Sequence, residues 1–274
     1  MTRPPWRVAL ACEIGTSHTG SGTPCQDSAE HVIIQTTEGP VLIAVVCDGA
    51  GSAAHSDVGS WLASTTFVEL LEVYFENGGC LIDIDRETVV GWLMRTVERL
   101  SDRAHEDGNA VKDYSCTLLA AIVGNEAAAF AQIGDGAIVV SSYNEADGWG
   151  WVFWPQHGEY ANQTAFVLSP EAAEALEFEF APRRIEELAI FSDGIERMVL
   201  HGASKTVNEP FFDRMFVPVR ASTSQGLDQK LSEKLKEYLG SAAVNARTND
   251  DKTLLMATRR PHKKMNDDCP PAEP

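Results

Sequence analysis

The sequence contains no apolar run close to the roughly 20 residues that a membrane-spanning helix needs, and residues 1–6 are too short and polar for a secretory signal. The chain therefore reads as soluble, cytoplasmic and made without export. Cys-x-x-Cys pairs are also missing. The six cysteines are scattered, and Cys12, Cys47 and Cys116 sit inside apolar strand-like runs, so they read as reduced, small core residues. Basic residues are few: 22 Lys and Arg against 40 Asp and Glu leave a net charge of −18. That balance excludes a nucleic-acid backbone as partner and favours hard cations or basic protein segments, although most of these acids serve solubility alone. A Gly-x-x-x-x-Gly-Lys loop is absent, and Gly20-Ser21-Gly22 does not lie between a strand and a helix in the frame a nucleotide needs. Hydrolysis fits the chain better than transfer from ATP.

What is present is organised around residues 41–52, VLIAVVCDGAGS. An apolar run that ends in an acid and small residues reads as a buried strand delivering the Asp48 carboxylate to a cleft. A lone buried carboxylate is costly, so Asp48 needs a cation or donors. Gly49 and Gly51 let the backbone turn tightly or approach a ligand with its own carbonyl. A plain Asp-Gly hairpin turn is the alternative.

The 274 residues allow one large domain or two small ones. Residues 6–14 are strand-like and lead into a loop at 15–28, rich in Gly, Ser and Thr, whose reactive groups are His18 and Asp27. Strands are predicted at 31–37 and 41–47 around a Glu38-Gly39-Pro40 hairpin signal. Amphipathic helices follow at 56–76 and 86–104, the second with Asp85 as N-cap. Further strands are predicted at 116–123, 127–133, 137–143 and 149–154, then a polar connection at 155–163. A helix over 169–177 starts at Ser169-Pro170. The strand at 188–191 opens into Ser192-Asp193-Gly194, helices follow at 210–216 and 227–239, and a strand at 253–258 has two acids at its entrance. Neither a repeat nor a second linker appears, so residues 1–258 read as one domain. Residues 259–274, proline-rich and almost without large apolar residues, read as a disordered tail.

Asp27, Asp48, Asp135, Asp193 and Asp250 are far apart in sequence, yet each flanks a strand or a glycine turn. If the strands pair in one sandwich, their ends converge, and converging carboxylates repel unless divalent cations neutralise them. An all-oxygen set favours Mg²⁺ or Mn²⁺. Two such ions about 4 Å apart hold a hydroxide and clamp a phosphate for in-line displacement.

The ordered set CQDS (25–28), CDGAGS (47–52), SCT (115–117), IGDG (133–136), FSDGI (191–195) and NDDKT (249–253) resembles the metal-dependent type-2C protein phosphatases. GTSH at 15–18 and GEYAN at 158–162 make the bacterial branch typified by protein phosphatase C the nearer likeness. The resemblance implies an α+β fold, a four-layer α-β-β-α sandwich with two central antiparallel sheets. It also implies a serine/threonine phosphatase acting through a two-metal-activated hydroxide on phosphoproteins, with Mn²⁺ or Mg²⁺ as cofactor and a cognate Ser/Thr kinase as counterpart. The protein would be a monomer acting in bacterial signalling. By the same resemblance Asp48 bridges two metals, Gly49 ligates through its carbonyl, Asp193 and Asp250 complete the first ion, and Asp27 holds a water on the metal. Asp135 is tied to a third, weaker ion, and Asp251 ranks second to Asp250.

The pattern has departures. The arginine that many relatives place five residues before the motif aspartate is Gly22, and the histidine of Asp-Gly-His-Gly is Ala50. An acid expected after Asp193 is Arg197, with Glu196 beside it, which bears on the third metal. His18, ahead of His55, is the candidate replacement donor or acid. A catalytically impaired phosphate-binding scaffold and a small-molecule phosphomonoesterase are the alternatives.

Overall fold

The computed structural model describes residues 5–142, 148–156 and 164–260. Its first half runs β1 (Arg7–Glu13), α1 (Thr16–Ser21), β2 (Asp27–Thr36), β3 (Gly39–Asp48), α2 (Ser56–Glu76), α3 (Arg86–Asp107), β4 (Leu118–Val123), β5 (Ala128–Ile133), β6 (Ala137–Ser142) and β7 (Trp149–Trp151). The second half runs α4 (Ala172–Ala175), β8 (Glu177–Ala181), β9 (Ile185–Phe191), α5 (Glu196–Val199), β10 (Leu200–His201), β11 (Thr206–Val207), α6 (Glu209–Ala221), β12 (Gly226–Leu227), α7 (Gln229–Leu239), α8 (Ala242–Asn245) and β13 (Lys252–Thr258).

The strands form a five-stranded sheet, β2-β3-β4-β5-β8, and a six-stranded sheet, β12-β1-β13-β9-β6-β7, with a small β10-β11 hairpin beside them. Every pairing in the two large sheets is antiparallel except that of the short β12 with β1. The two-residue side-chain period explains the layering. On β3, Leu42, Ala44 and Val46 point into the core between the sheets, where they meet Leu188, Ile190 and Leu255 of the other sheet. Val41, Ile43, Val45 and Cys47 point the other way, to the apolar faces of α2 and α3. The six-stranded sheet repeats the scheme: Leu254 and Met256 turn outward to Phe212 and Phe216 of α6 and Leu235 of α7. Both sheets are thus covered on both faces, giving the expected α-β-β-α sandwich. It also explains why their strands read as continuous apolar runs rather than alternating ones.

Local signals hold at several boundaries. Asp85 caps α3, accepting from the Thr88 N–H at 2.8 Å, and Gly108 ends it in the left-handed region at φ +71°. The helix expected over 169–177 is a single turn, because from Glu177 the chain joins β5 as edge strand β8, a strand not foreseen. The loop at 15–28 contains α1, also not foreseen. The five described cysteines are free, with Cys47 and Cys116 buried and Cys12 half-buried. The expected boundary at Thr258 leaves out Arg259 and Arg260, both of which contact the fold: the Arg259 N–H donates to Glu186 O at 3.0 Å, and Arg260 pairs with Glu187 at 2.9 Å. The GEYAN segment, His157 and residues 261–274 lie outside the described residues.

Candidate metal centre

The strand ends that carry the motif aspartates meet at one end of the sandwich. Asp27 opens β2 and Asp48 closes β3, and the two are direct register partners. Asp48 is fixed from behind, its N–H donating to Thr117 Oγ1 at 2.9 Å and its carbonyl accepting from the Thr117 N–H at 2.8 Å. Gly49 follows in a place only glycine fits: a Cβ there would lie 2.7 Å from Gln26 O and 2.8 Å from Ser56 O. From the other sheet, β9 delivers Asp193 and the entrance to β13 delivers Asp250. These two segments approach so closely that a Cβ on Gly194 would stand 1.8 Å from Asp251 O. A buried hydroxyl joins the sheets: Ser192 Oγ donates to Asp27 Oδ2 at 2.7 Å and accepts from the Thr253 N–H at 3.0 Å.

Asp48, Asp135, Asp193, Asp250 and Asp251 line one cleft of about 180 Å³, together with His18, Gly49 and Thr117. Asp135 sits in the β5-β6 turn and accepts from Thr164 Oγ1 at 2.7 Å. Asp27 is not part of the lining. It is buried behind Asp48, and its Oδ1 is a buried acceptor without a donor.

The carboxyls hold one another's charge in check. Burial, with the Asp251 charge adding and the Ser192 hydrogen bond opposing, raises Asp27 to about 6. Burial and then the charges of Asp135 and Asp250 raise Asp193 to about 7. Asp48, between them, is pushed well above the ordinary carboxylate range by burial and then by Asp27, Asp193 and Asp135. Among the described residues no three His, Cys, Asp or Glu side chains are already placed so that together they could hold an ion. The donor chemistry nevertheless fits hard divalent cations: oxygen ligands only, one of them a backbone carbonyl, and a buried carboxylate oxygen left without a donor.

The remaining candidates separate clearly. His18 lies on the cleft wall and is the only basic side chain among the described lining residues. His55 instead stacks on Tyr114, ring centres 5.3 Å apart, away from the cleft. Gly22 is the exposed C-cap of α1 and Ala50 is a buried lining residue. Arg197 is exposed and does not line the cleft. Asp250 is exposed, whereas Asp251 is buried and already engaged: Oδ1 accepts from the Gly15 N–H at 2.6 Å and Oδ2 from the Gln26 N–H at 2.5 Å. Ser192 and Thr164 were not foreseen as site residues. The only sequence signal for Ser192 was its place beside Asp193, and Thr164 gave none.

The sequence model of the family described as Protein phosphatase 2C matches residues 14–240. Serine/threonine-protein phosphatase 3 of Escherichia coli strain K12 is 34% identical over 253 residues, covering 92% of this chain and 98% of that protein. Among solved structures, a bacterial serine phosphatase superposes with a TM-score of 0.58 at 15% identity, covering 94% of this chain and 99% of its own. The serine/threonine phosphatase Stp1 from Staphylococcus aureus gives 0.56 at 14% identity, covering 92% and 94%. RsbX in complex with magnesium gives 0.52 at 13% identity, covering 94% and 97%. At such identities these structures speak for the fold alone.

Proposed function

Because the chain belongs to the protein phosphatase 2C family, we propose that it is a metal-dependent serine/threonine protein phosphatase whose cations are held by Asp48, the Gly49 carbonyl, Asp193 and Asp250. In the same reading Asp135 serves a weaker third ion. The observation that carries this reading is the set of aspartates that both sheets bring to one cleft: a scaffold that only binds phosphate has no use for acids that repel one another and the ligand. Cations bound there supply a water acidified toward neutral pH and positive charge against the phosphoryl group.

The protein's own groups supply the rest. Thr117 and the β3 backbone fix Asp48. Asp27, buried behind it, holds its orientation through Ser192 and offers Oδ1 to ordered water. The cleft lining lacks lysine and arginine among the described residues, so His18 is the side chain left to donate a proton or hydrogen bond to the phosphoester. In this reading the substrates are phosphoproteins in the bacterial cytoplasm, made by a cognate kinase, and the Mn²⁺ or Mg²⁺ ions number two. Among the described residues no helix is long and apolar enough to cross a membrane.

The test is hydrolysis of p-nitrophenyl phosphate and of phosphoserine peptides with added Mn²⁺ or Mg²⁺, then with EDTA. Activity on both that chelation abolishes is expected. Full activity after exhaustive chelation would refute the metal assignment, and inactivity on phosphopeptides alone would redirect it to small phosphomonoesters.

A further inference from the structure

The neighbouring aspartates 250 and 251 have different surroundings, and the difference assigns them different work. Asp251 is 3% exposed, and its carboxylate takes one backbone N–H from each end of the segment that carries His18, Gly15 on one side and Gln26 on the other. The same segment is tied again one residue upstream of the pair, where Asn249 O accepts from Ser17 N–H at 3.0 Å and from Ser17 Oγ at 2.6 Å. Gly15 packs so tightly on this turn that a Cβ there would lie 2.4 Å from the carbonyl carbon of Asp250. Within that frame His18 Nδ1 stands 2.9 Å from Asp251 Oδ2. The ring N–H is not aligned for a hydrogen bond there, so the contact is a close approach of ring edge and carboxylate. Because Nδ1 is buried against Asp251, Nε2 is the nitrogen left to face the cleft that His18 lines.

We infer that Asp251 is a positioning residue rather than a metal ligand, forming with His18 a carboxylate-imidazole dyad that presents Nε2–H to the leaving serine or threonine oxygen. This rests on the phosphatase reading of the cleft and deepens it, since it names the group that replaces the histidine missing at Ala50. In the step, the attacking water oxygen forms a bond to phosphorus while the bond from phosphorus to the seryl oxygen breaks, its electron pair staying on that oxygen. His18 Nε2 gives that oxygen its proton, and the proton lost by the water returns through solvent to the imidazole. The products are a neutral seryl hydroxyl and inorganic phosphate. Asp251 holds the ring in register and stabilises its cationic form, as carboxylates partnered with catalytic histidines do.

A proton donor matters for an alkyl leaving group and little for p-nitrophenolate, which leaves without help. The experiment therefore compares wild type, His18→Gln, Asp251→Asn and the double variant on a phosphoserine peptide and on p-nitrophenyl phosphate, with saturating Mg²⁺. Each single variant is expected to lose about tenfold or more in kcat/KM on the peptide and less than about threefold on p-nitrophenyl phosphate. The double variant is expected to lose no more than the worse single, because the two act as one unit. Mg²⁺ stoichiometry is expected to remain that of the wild type in Asp251→Asn. Equal losses on both substrates in Asp251→Asn, or a missing ion, would overturn the dyad in favour of a structural clamp or a ligand. Should Asp251→Asn fail to fold, the ¹⁵N NMR signals of His18 in the wild type at alkaline pH decide: the neutral ring is expected to carry its proton on Nδ1, facing Asp251, and a proton on Nε2 would overturn the pairing. A wild type inactive on both substrates would refute the reading of the cleft itself, and the dyad with it.

Discussion

Both ends of the six-stranded sheet carry carboxylates, and they treat them in opposite ways. At the end away from the cleft, Glu187 is fully buried and fully paired. Arg220 donates to its two oxygens at 2.7 and 2.5 Å, Arg260 Nε stands at 2.9 Å, and Thr258 Oγ1 donates at 2.9 Å. Arg184 pairs with Glu186 beside it, and Arg7 donates 2.7 Å to the carbonyl of Arg220. At the cleft end the same strands β9 and β13 lead to Asp193 and Asp250, where the described lining offers His18 and no lysine or arginine. One end completes its electrostatics with protein groups. The other offers His18 alone among the described basic side chains of its lining, and this contrast supports the proposal that cations act there.

The comparison breaks most visibly at Asp48. If Asp48 holds the cations as proposed, Asp48→Asn is expected to lower kcat by two or more orders of magnitude, because such cations would supply the acidified water. It is also expected to raise the melting temperature of the metal-free protein near neutral pH, since one repelling carboxyl is gone. Calorimetric titration should show fewer ions bound. Unchanged stoichiometry, or a metal-free variant less stable than the wild type, would place Asp48 among the structural charges.

Glu187→Ala is the mirror experiment. It takes the buried carboxylate away from Arg220 and Arg260, and breaking a buried pair costs about 3–5 kcal/mol. Denaturant unfolding should register that loss, while kcat of the protein that remains folded stays near wild type. A selective loss of activity without a loss of stability would mean that the paired end takes part in function.

These contrasts show how much was legible in the sequence. The meeting of Asp48, Asp135 and Asp193 was readable because each follows an apolar run and stands beside a glycine, and Asp250 because it stands at the entrance of such a run, while the layered fold was implied by the resemblance those ordered motifs carry. β8 was not. Its residues, EFEFA, follow an Ala- and Glu-rich stretch with a proline start, and local propensity favours continuing the helix there. Pairing with the exposed edge of β5 overrides that propensity. α1 was hidden because its Gly, Ser and Thr composition carries no apolar period, and what holds it is the turn at 249–251, over two hundred residues away. The same distance concealed Asp251. The resemblance ranks Asp251 second to Asp250, and the backbone N–H groups of Gly15 and Gln26 that bind its carboxylate give the physical ground for setting the two apart.

pH sharpens the comparison without any mutation. Asp27 and Asp193 titrate near 6 and 7 in the folded protein, and Asp48 higher. A carboxyl whose pKa is raised on folding keeps its proton longer in the folded than in the unfolded chain. What these carboxyls contribute to stability is therefore greatest below the ordinary carboxylate value of 3.8 and falls as pH rises through about 7. The metal-free protein is expected to lose on the order of 5 °C in melting temperature between pH 5 and pH 8, and saturating Mg²⁺ should remove most of that slope. A metal-free protein that grows more stable over this range would mean that the cleft carboxyls are not the groups that titrate.

The smallest effect concerns where the paired end stops. Composition alone draws the boundary at Thr258, yet Arg259 and Arg260 contact the fold. The Arg259 guanidinium lies 4.7 Å from the centre of the Trp6 ring, and Arg260 donates to Ser141 Oγ and Ser142 O, each at 2.8 Å. Removing both takes away a cation-π contact and one of the two arginines on Glu187, while Arg220 continues to hold that carboxylate. A chain cut after Thr258 is therefore expected to lose about 1–2 kcal/mol, a few degrees in melting temperature. A chain cut after Arg260 should melt within about a degree of the full sequence, because residues 261–274 offer almost no large apolar side chain to anchor them. Turnover should be unchanged in both, since neither cut reaches the cleft. Equal stability of the two truncations would return the boundary to Thr258 and show that Arg220 alone satisfies Glu187. A loss on cutting after Arg260 would show that the final residues contribute to the paired end as well.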